Sequence, residues 1–111
     1  MIKNDFGVED VIILVKELIN SIYNEKTHGN IEVIVDNPTC YRIFLDYEKC
    51  IGEIIIEQST FAPYRYISFN VLPSDTEDIA PIFYWNDAAG DSLEYIREKI
   101  EEGILLASNY W

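Results

Sequence analysis

A chain of 111 residues with a formal net charge of −12 is sized for one domain, 1–111, which can bury about two-thirds of the surface its unfolded chain exposes. A hydrophobic fraction of 49% and an aromatic fraction of 14% argue against disorder in spite of that charge. A pI near 4.2 disfavours nucleic acid and anionic membrane surfaces, where the electrostatic term is repulsive; it favours a basic protein partner, and solubility alone also accounts for it.

Residues 7–24 place Val8, Val11, Ile12, Val15, Leu18, Ile19 and Ile22 at spacings of three and four, which predicts an amphipathic helix. Asn4 or Asp5 can cap its start, and "THGN" at 27–30 ends it. "IEVIVD" (31–36) alternates and is rich in β-branched residues; "NPT" (37–39) is a turn. "YRIFLDYE" (41–48) and "IGEIIIEQ" (51–58) are two further strands joined by a short hairpin connection. A fourth strand is expected at about 64–71, within "FAPYRYISFNV", followed by the acidic loop "LPSDTED" (72–78). "PIFYW" (81–85) can add a short fifth, with Pro81 at its start or on an edge.

The last helix is announced by Asp91 and Glu94, a capping box. Leu93, Ile96, Ile100, Ile104 and Ala107 form its stripe, with Gly103 beside it allowing a close approach to a sheet. The fold class that follows is α+β: an antiparallel four- to five-stranded β-meander with an N-terminal and a C-terminal helix on one face. The most apolar run, "VIILV" (11–15), is too short to span a membrane. The N-terminal stretch has neither the basic region nor the cleavage site of a signal peptide, so the cytoplasm is the expected compartment. Cys40 and Cys50 fit no CxxC or Cys/His cluster, and ten residues of largely extended chain would hold them about 30 Å apart, too far for a disulfide.

If Ile31, Val33 and Val35 face the helices, Glu32 and Asp36 face out. Continuing the alternation, the helix-free face receives Arg42, Phe44, Asp46 and Glu48, then Glu53, Ile55 and Glu57, then Tyr64 and Tyr66. Carboxylates around exposed aromatics make a candidate docking surface: Asp46, Glu48, Glu53 and Glu57 to steer and pair, Phe44, Tyr64 and Tyr66 to supply desolvated contact area. An ordinary solvated sheet face with aromatic cross-strand pairs reads equally from the same residues. A one-residue slip would exchange the faces.

No catalytic signature accompanies these elements, and no cofactor or metal is implied. Asp87 and Asp91 lack a third ligand, the carboxylates at 75, 77 and 78 lack the ligand order of a calcium loop, and His28 sits at a helix end. The alternatives are a small ligand-binding domain or enzyme using a pocket near Trp85 and Asp87, and an adaptor subunit that dimerises through an apolar edge strand. Trp85 also reads as a residue closing the end of the core, and the terminal Tyr110 and Trp111 as aromatics finishing a helix.

The whole profile resembles one functional group. A small acidic chain with a helix, a strand meander and "YWNDAAGDSLEYI" (84–96) leading into the last helix is similar to the immunity proteins of bacterial toxin–immunity systems, including those guarding against contact-dependent growth inhibition toxins. The resemblance implies tight one-to-one binding to a cognate toxin domain, often a nuclease with a basic cleft, and inhibition by occluding that cleft. It assigns no residue, because partner-contacting positions vary among such proteins.

Overall fold

The computed structural model describes residues 6–23, 30–47, 49–58, 65–74, 81–88 and 90–109. Helix α1 (Val8–Tyr23) precedes strands β1 (Asn30–Asn37), β2 (Cys40–Asp46), β3 (Cys50–Glu57), β4 (Ile67–Pro73) and β5 (Phe83–Asn86), and helix α2 (Leu93–Ser108) closes the chain. The strands form one antiparallel sheet in the order β1-β2-β3-β4-β5, so each pairs only with its sequence neighbours. The meander with two terminal helices is thus the α+β architecture that the periodicities predict.

Both helices press on one face of the sheet and touch each other, α1 over β2 and β3, α2 over β3, β4 and β5. The core between them is apolar throughout. Val11 and Val15 of α1 and Ile96, Ile100 and Ile104 of α2 meet Ile43, Leu45, Ile54, Ile56, Ile67, Phe69 and Val71 of the strands, all of them fully buried. These are the positions that helical and alternating periods assign to the inside.

The helix starts are built locally. The Gly7 N–H donates to the Asp10 carboxylate at 2.8 Å, and the Gly7 carbonyl accepts from the N–H of Asp10 and of Val11 at 3.1 and 3.4 Å. Gly7 is therefore the cap residue of α1, and the expected Asn4 and Asp5 lie outside the described residues. For α2 the N-cap is Ser92, whose hydroxyl oxygen accepts from the Tyr95 N–H at 3.1 Å. The anticipated capping box of Asp91 and Glu94 does not form; the cap moves on by one residue because Asp91 is committed elsewhere. Its carboxylate accepts from the Ala88 N–H at 2.8 Å, closing a turn that passes through Gly90 at φ +104°, a conformation that favours glycine.

Two local departures from simple alternation decide what each sheet face displays. The first is a β-bulge in β1: Val33 is opposite Ile43, but Val35 is opposite Arg42 and Asp36 opposite Tyr41. One extra residue in β1 inverts the faces beyond it. Val35, expected inside, is on the helix-free face, and Asp36, expected outside, is on the helix side, where Lys16 of α1 reaches it at 2.6 Å. The second departure lies at the start of β4. Successive N–H groups of an extended strand point to opposite edges, yet those of Arg65, Tyr66 and Ile67 all donate to Oδ1 of Asp87 at 2.8, 2.9 and 3.0 Å. The backbone must bend there, and regular alternation begins only at Ile67.

Cys40 and Cys50 are both free. The chain reverses between β2 and β3, so Cys40 and Cys50 begin adjacent antiparallel strands at opposite ends of the hairpin, a strand's length or about 20 Å apart rather than the longer extended distance. Cys50 is fully buried, with its thiol donating to the Ala107 carbonyl at 3.4 Å, and burial raises its pKa above the ordinary 9.0. Cys40 is half-buried; burial and then the charge of Glu57 raise its pKa also. The thiolate is the reactive form. One thiol, Cys40, is therefore expected to react slowly with Ellman's reagent in native protein and both in denaturant. Rapid native labelling of two thiols would contradict the seating of α2 over Cys50.

Candidate protein-docking face

The helix-free face is a grid set by the strand registers. One row across the sheet reads Glu32, Phe44, Glu53, Asn70 and Tyr84, from β1 to β5. The next reads Val35, Arg42, Ile55, Ser68 and Asn86. Towards one end lie Asp46, Ile51 and Leu72, and towards the other Cys40 and Glu57.

Four of the anticipated residues are therefore brought together. Phe44, Asp46, Glu53 and Glu57 share this face, Asp46 exposed and the other three half-buried. Glu48 and Tyr64 lie outside the described residues. Tyr66 is displaced from the face. Its ring packs against the core and lies 6.2 Å from that of Phe6, and its hydroxyl donates to the Phe6 carbonyl at 3.5 Å. The bend imposed by Asp87 is the reason: Tyr66 precedes the regular strand, so alternation does not govern it. Arg65 lies over both rings, 5.1 Å from the Phe6 centroid and 4.7 Å from that of Tyr66, and the group braces the entry to α1.

The face also carries groups that the sequence reading did not single out. Tyr84 is 60% exposed, Ile51 45% and Leu72 44%, and all three follow from extending the alternation of their strands to the ends. Val35 does not, because only the bulge puts it there. The resulting surface is a mixture of open apolar area and charge, in which Glu32, Asp46, Glu53 and Glu57 outnumber the lone guanidinium of Arg42 among the face residues named. Arg42 is neutralised within the face: Nη2 and Nε lie 2.6 and 2.8 Å from Oε2 of Glu53, and the guanidinium carbon lies 5.7 Å from the centroid of the Phe44 ring.

At the corner where β1, β2 and β3 meet, the surface sinks into an open hollow of about 550 Å³. It is lined by Asn30, Ile31, Glu32, Phe44, Asp46 and Ile51. Apolar groups make up most of it, and the two carboxylates have no basic partner among the described residues.

The region of Trp85 and Asp87 is built differently. Trp85 is half-buried against the core, edge-on to Tyr95 at 6.2 Å. Asp87 is 2% exposed, and its Oδ1 is occupied by the three backbone donors described above. Its backbone joins the same contact, the N–H donating to the Ile67 carbonyl at 3.1 Å and the carbonyl accepting from the Arg65 N–H at 3.2 Å. These are the features of a structural tie between β4 and β5.

Among the described residues, no helix is long and apolar enough to cross a membrane, and no group of three or more His, Cys, Asp or Glu side chains is placed to hold a metal ion. No family model, curated protein or solved structure matches this chain.

Proposed function

We propose that this chain is a binding protein that neutralises a basic protein, a toxin domain of the nuclease kind, by laying its helix-free sheet face over the active-site cleft. Enzymes that act on nucleic acid carry clefts lined with lysine and arginine, and such a cleft complements a face on which carboxylates stand beside exposed apolar groups. The cytoplasm is the compartment in which such a partner would be met, and one-to-one occlusion the mode of inhibition. The observation that carries the reading is the coincidence on one face of exposed Ile51, Leu72 and Tyr84 with the acidic Glu32, Asp46, Glu53 and Glu57. Apolar groups at the centre of an interface supply contact energy, while surrounding charge sets encounter rate and specificity.

The test is capture of the tagged protein from its native host, with washes of rising salt. One basic protein retained stoichiometrically, and released as salt rises, is the expected result; retention of nothing at any salt would defeat the reading. With a partner in hand, charge reversal at Asp46 or Glu57 should slow association, and Tyr84→Ala should speed dissociation about tenfold or more if the ring is a central contact. Unchanged kinetics in all three variants would move the interface to another face.

A further inference from the structure

We infer that the hollow at the β1–β2–β3 corner is the receptor for one arginine side chain of the partner, its guanidinium seated on Phe44 between Glu32 and Asp46. This rests on the reading that the face docks a basic protein, and it adds which side chain leads.

The argument starts at Phe44. Four charged side chains surround it on the grid: Glu32 across the pair with β1, Glu53 across the pair with β3, and Arg42 and Asp46 two residues away along β2. Arg42 and Glu53 satisfy each other, at 2.6 Å, and Arg42 lies 5.7 Å from the Phe44 centroid. The molecule thus already holds one guanidinium against this ring with a carboxylate to pair it. On the other side of Phe44 the same ingredients recur without a cation among the described residues. Glu32 and Asp46 stand exposed beside a hollow of about 550 Å³, with Phe44 and Ile51 next to them on the same face. Ile51 is 45% exposed, so apolar surface remains open to a side-chain stem.

That combination selects arginine over lysine. A guanidinium is planar and weakly hydrated, stacks on aromatic rings, and pairs with carboxylates through a fixed fork of donors. Its three-carbon stem covers apolar surface while the head stays paired. A neutral polar group would leave both carboxylates unmatched, and an aliphatic one would desolvate them without compensation.

The experiment is a titration of isotopically labelled protein with N-acetyl-arginine amide, followed by amide chemical shifts, with the citrulline and lysine amides as controls. Citrulline keeps the shape and loses the charge. Saturable shifts clustered on Glu32, Phe44, Asp46 and Ile51 are expected, weaker for lysine and at least about fivefold weaker for citrulline, the upper range for one exposed ion pair. The double variant Glu32→Gln, Asp46→Asn should weaken arginine binding about twenty-five-fold if each pair contributes near that upper value. Phe44→Leu should cost about twofold to fivefold, the contribution of an exposed cation–π contact. Retained amide dispersion in each variant verifies folding. Equal shifts from citrulline, shifts scattered over other acidic surfaces, or indifference to the double variant would each overturn the assignment. Failure here together with salt-sensitive capture of a basic protein would remove only the arginine seat. Success here with no protein captured would remove the docking reading and leave a guanidinium site.

Discussion

Replacing Gly103 with alanine is expected to lower the melting temperature, although alanine is the better helix former by about 1 kcal/mol. A Cβ at this position would stand 2.8 Å from Cε2 of Phe83 and 2.9 Å from Cζ of Phe69. Neither ring can retreat easily. Phe69 is fully buried, Phe83 is 7% exposed, and the two pack edge to face with centroids 5.2 Å apart. To admit one methyl group, α2 must lift from the sheet or the rings must leave their rotamers. Overpacking of this kind costs about 1–3 kcal/mol and occasionally more, and contacts of 2.8–2.9 Å with two rings place it at the upper end. The clash outweighs the propensity gain, leaving a net loss of about 2 kcal/mol. At about 4–8 °C per kcal/mol for a domain near this size, a fall of roughly 10 °C is the expected reading by circular dichroism. Phe83→Leu in the Gly103→Ala background should recover part of it, since neighbouring substitutions couple. A melting temperature equal to or above that of the parent would mean that α2 does not approach the sheet this closely.

Asp87 carries the second large effect. Truncation to alanine removes the acceptor of three backbone N–H groups at once, those of Arg65, Tyr66 and Ile67. A buried donor left unpaired costs about 1–3 kcal/mol. The Ile67 contact is buried, whereas the other two are part-buried, and the Arg65 N–H retains the Asp87 carbonyl at 3.2 Å. A loss of about 3 kcal/mol is therefore expected for Asp87→Ala. Asp87→Asn keeps a carbonyl oxygen for the same donors and should lose less. Its amide nitrogen would occupy the position of Oδ2, which is buried without a partner among the described residues, so the substitution is not neutral. Hydrogen exchange locates the damage: amides 65–67 should lose protection in the alanine variant before those of β2 and β3. Equal stability of the asparagine and alanine variants would show that the carboxylate does not act through these hydrogen bonds.

These two residues differ in how they can be read from sequence. Gly103 beside the Ile100–Ile104 stripe already announces a close approach, because glycine inside a helix needs a packing reason. Asp87 announces nothing: its donors lie some twenty residues earlier, and only the folded sheet brings them together. The same contrast runs through the rest of the molecule. Tyr41, Ile43 and Leu45, or Ile54 and Ile56, declare their faces because β2 and β3 alternate cleanly. In "IEVIV" every residue but Glu32 is apolar and β-branched, so either face assignment reads equally well, and the bulge between Val33 and Val35 leaves no local mark. In the folded sheet the bulge brings Asp36 within 2.6 Å of Lys16 of α1 and sets Val35 opposite Arg42, contacts that no local pattern announces. Tyr66 was misplaced for a related reason, since alternation assumes an extended backbone and Asp87 bends it. The start of α2 shifts by one residue because Asp91 and Ser92 are both good caps, and the turn through Gly90 uses one of them. Half of the candidate face was legible as alternation in β2 and β3; the corner hollow depends on how β1 lies against them.

The bulge has a consequence for the solution behaviour of the protein. β1 is an outer strand with one edge unpaired among the described residues, and Val33 and Ile34 are 51% and 41% exposed there. A straight, β-branched outer strand is a template for fibril growth. Without the extra residue, Glu32 and Asp36 would share one face, and the other would present Ile31, Val33 and Val35 uninterrupted to any strand that arrived. With it, the strand is kinked at its middle, and each face carries one carboxylate, Glu32 on one side and Asp36 on the other. A second molecule approaching this edge meets an irregular ladder and like charge from either direction, both of which oppose its pairing with β1.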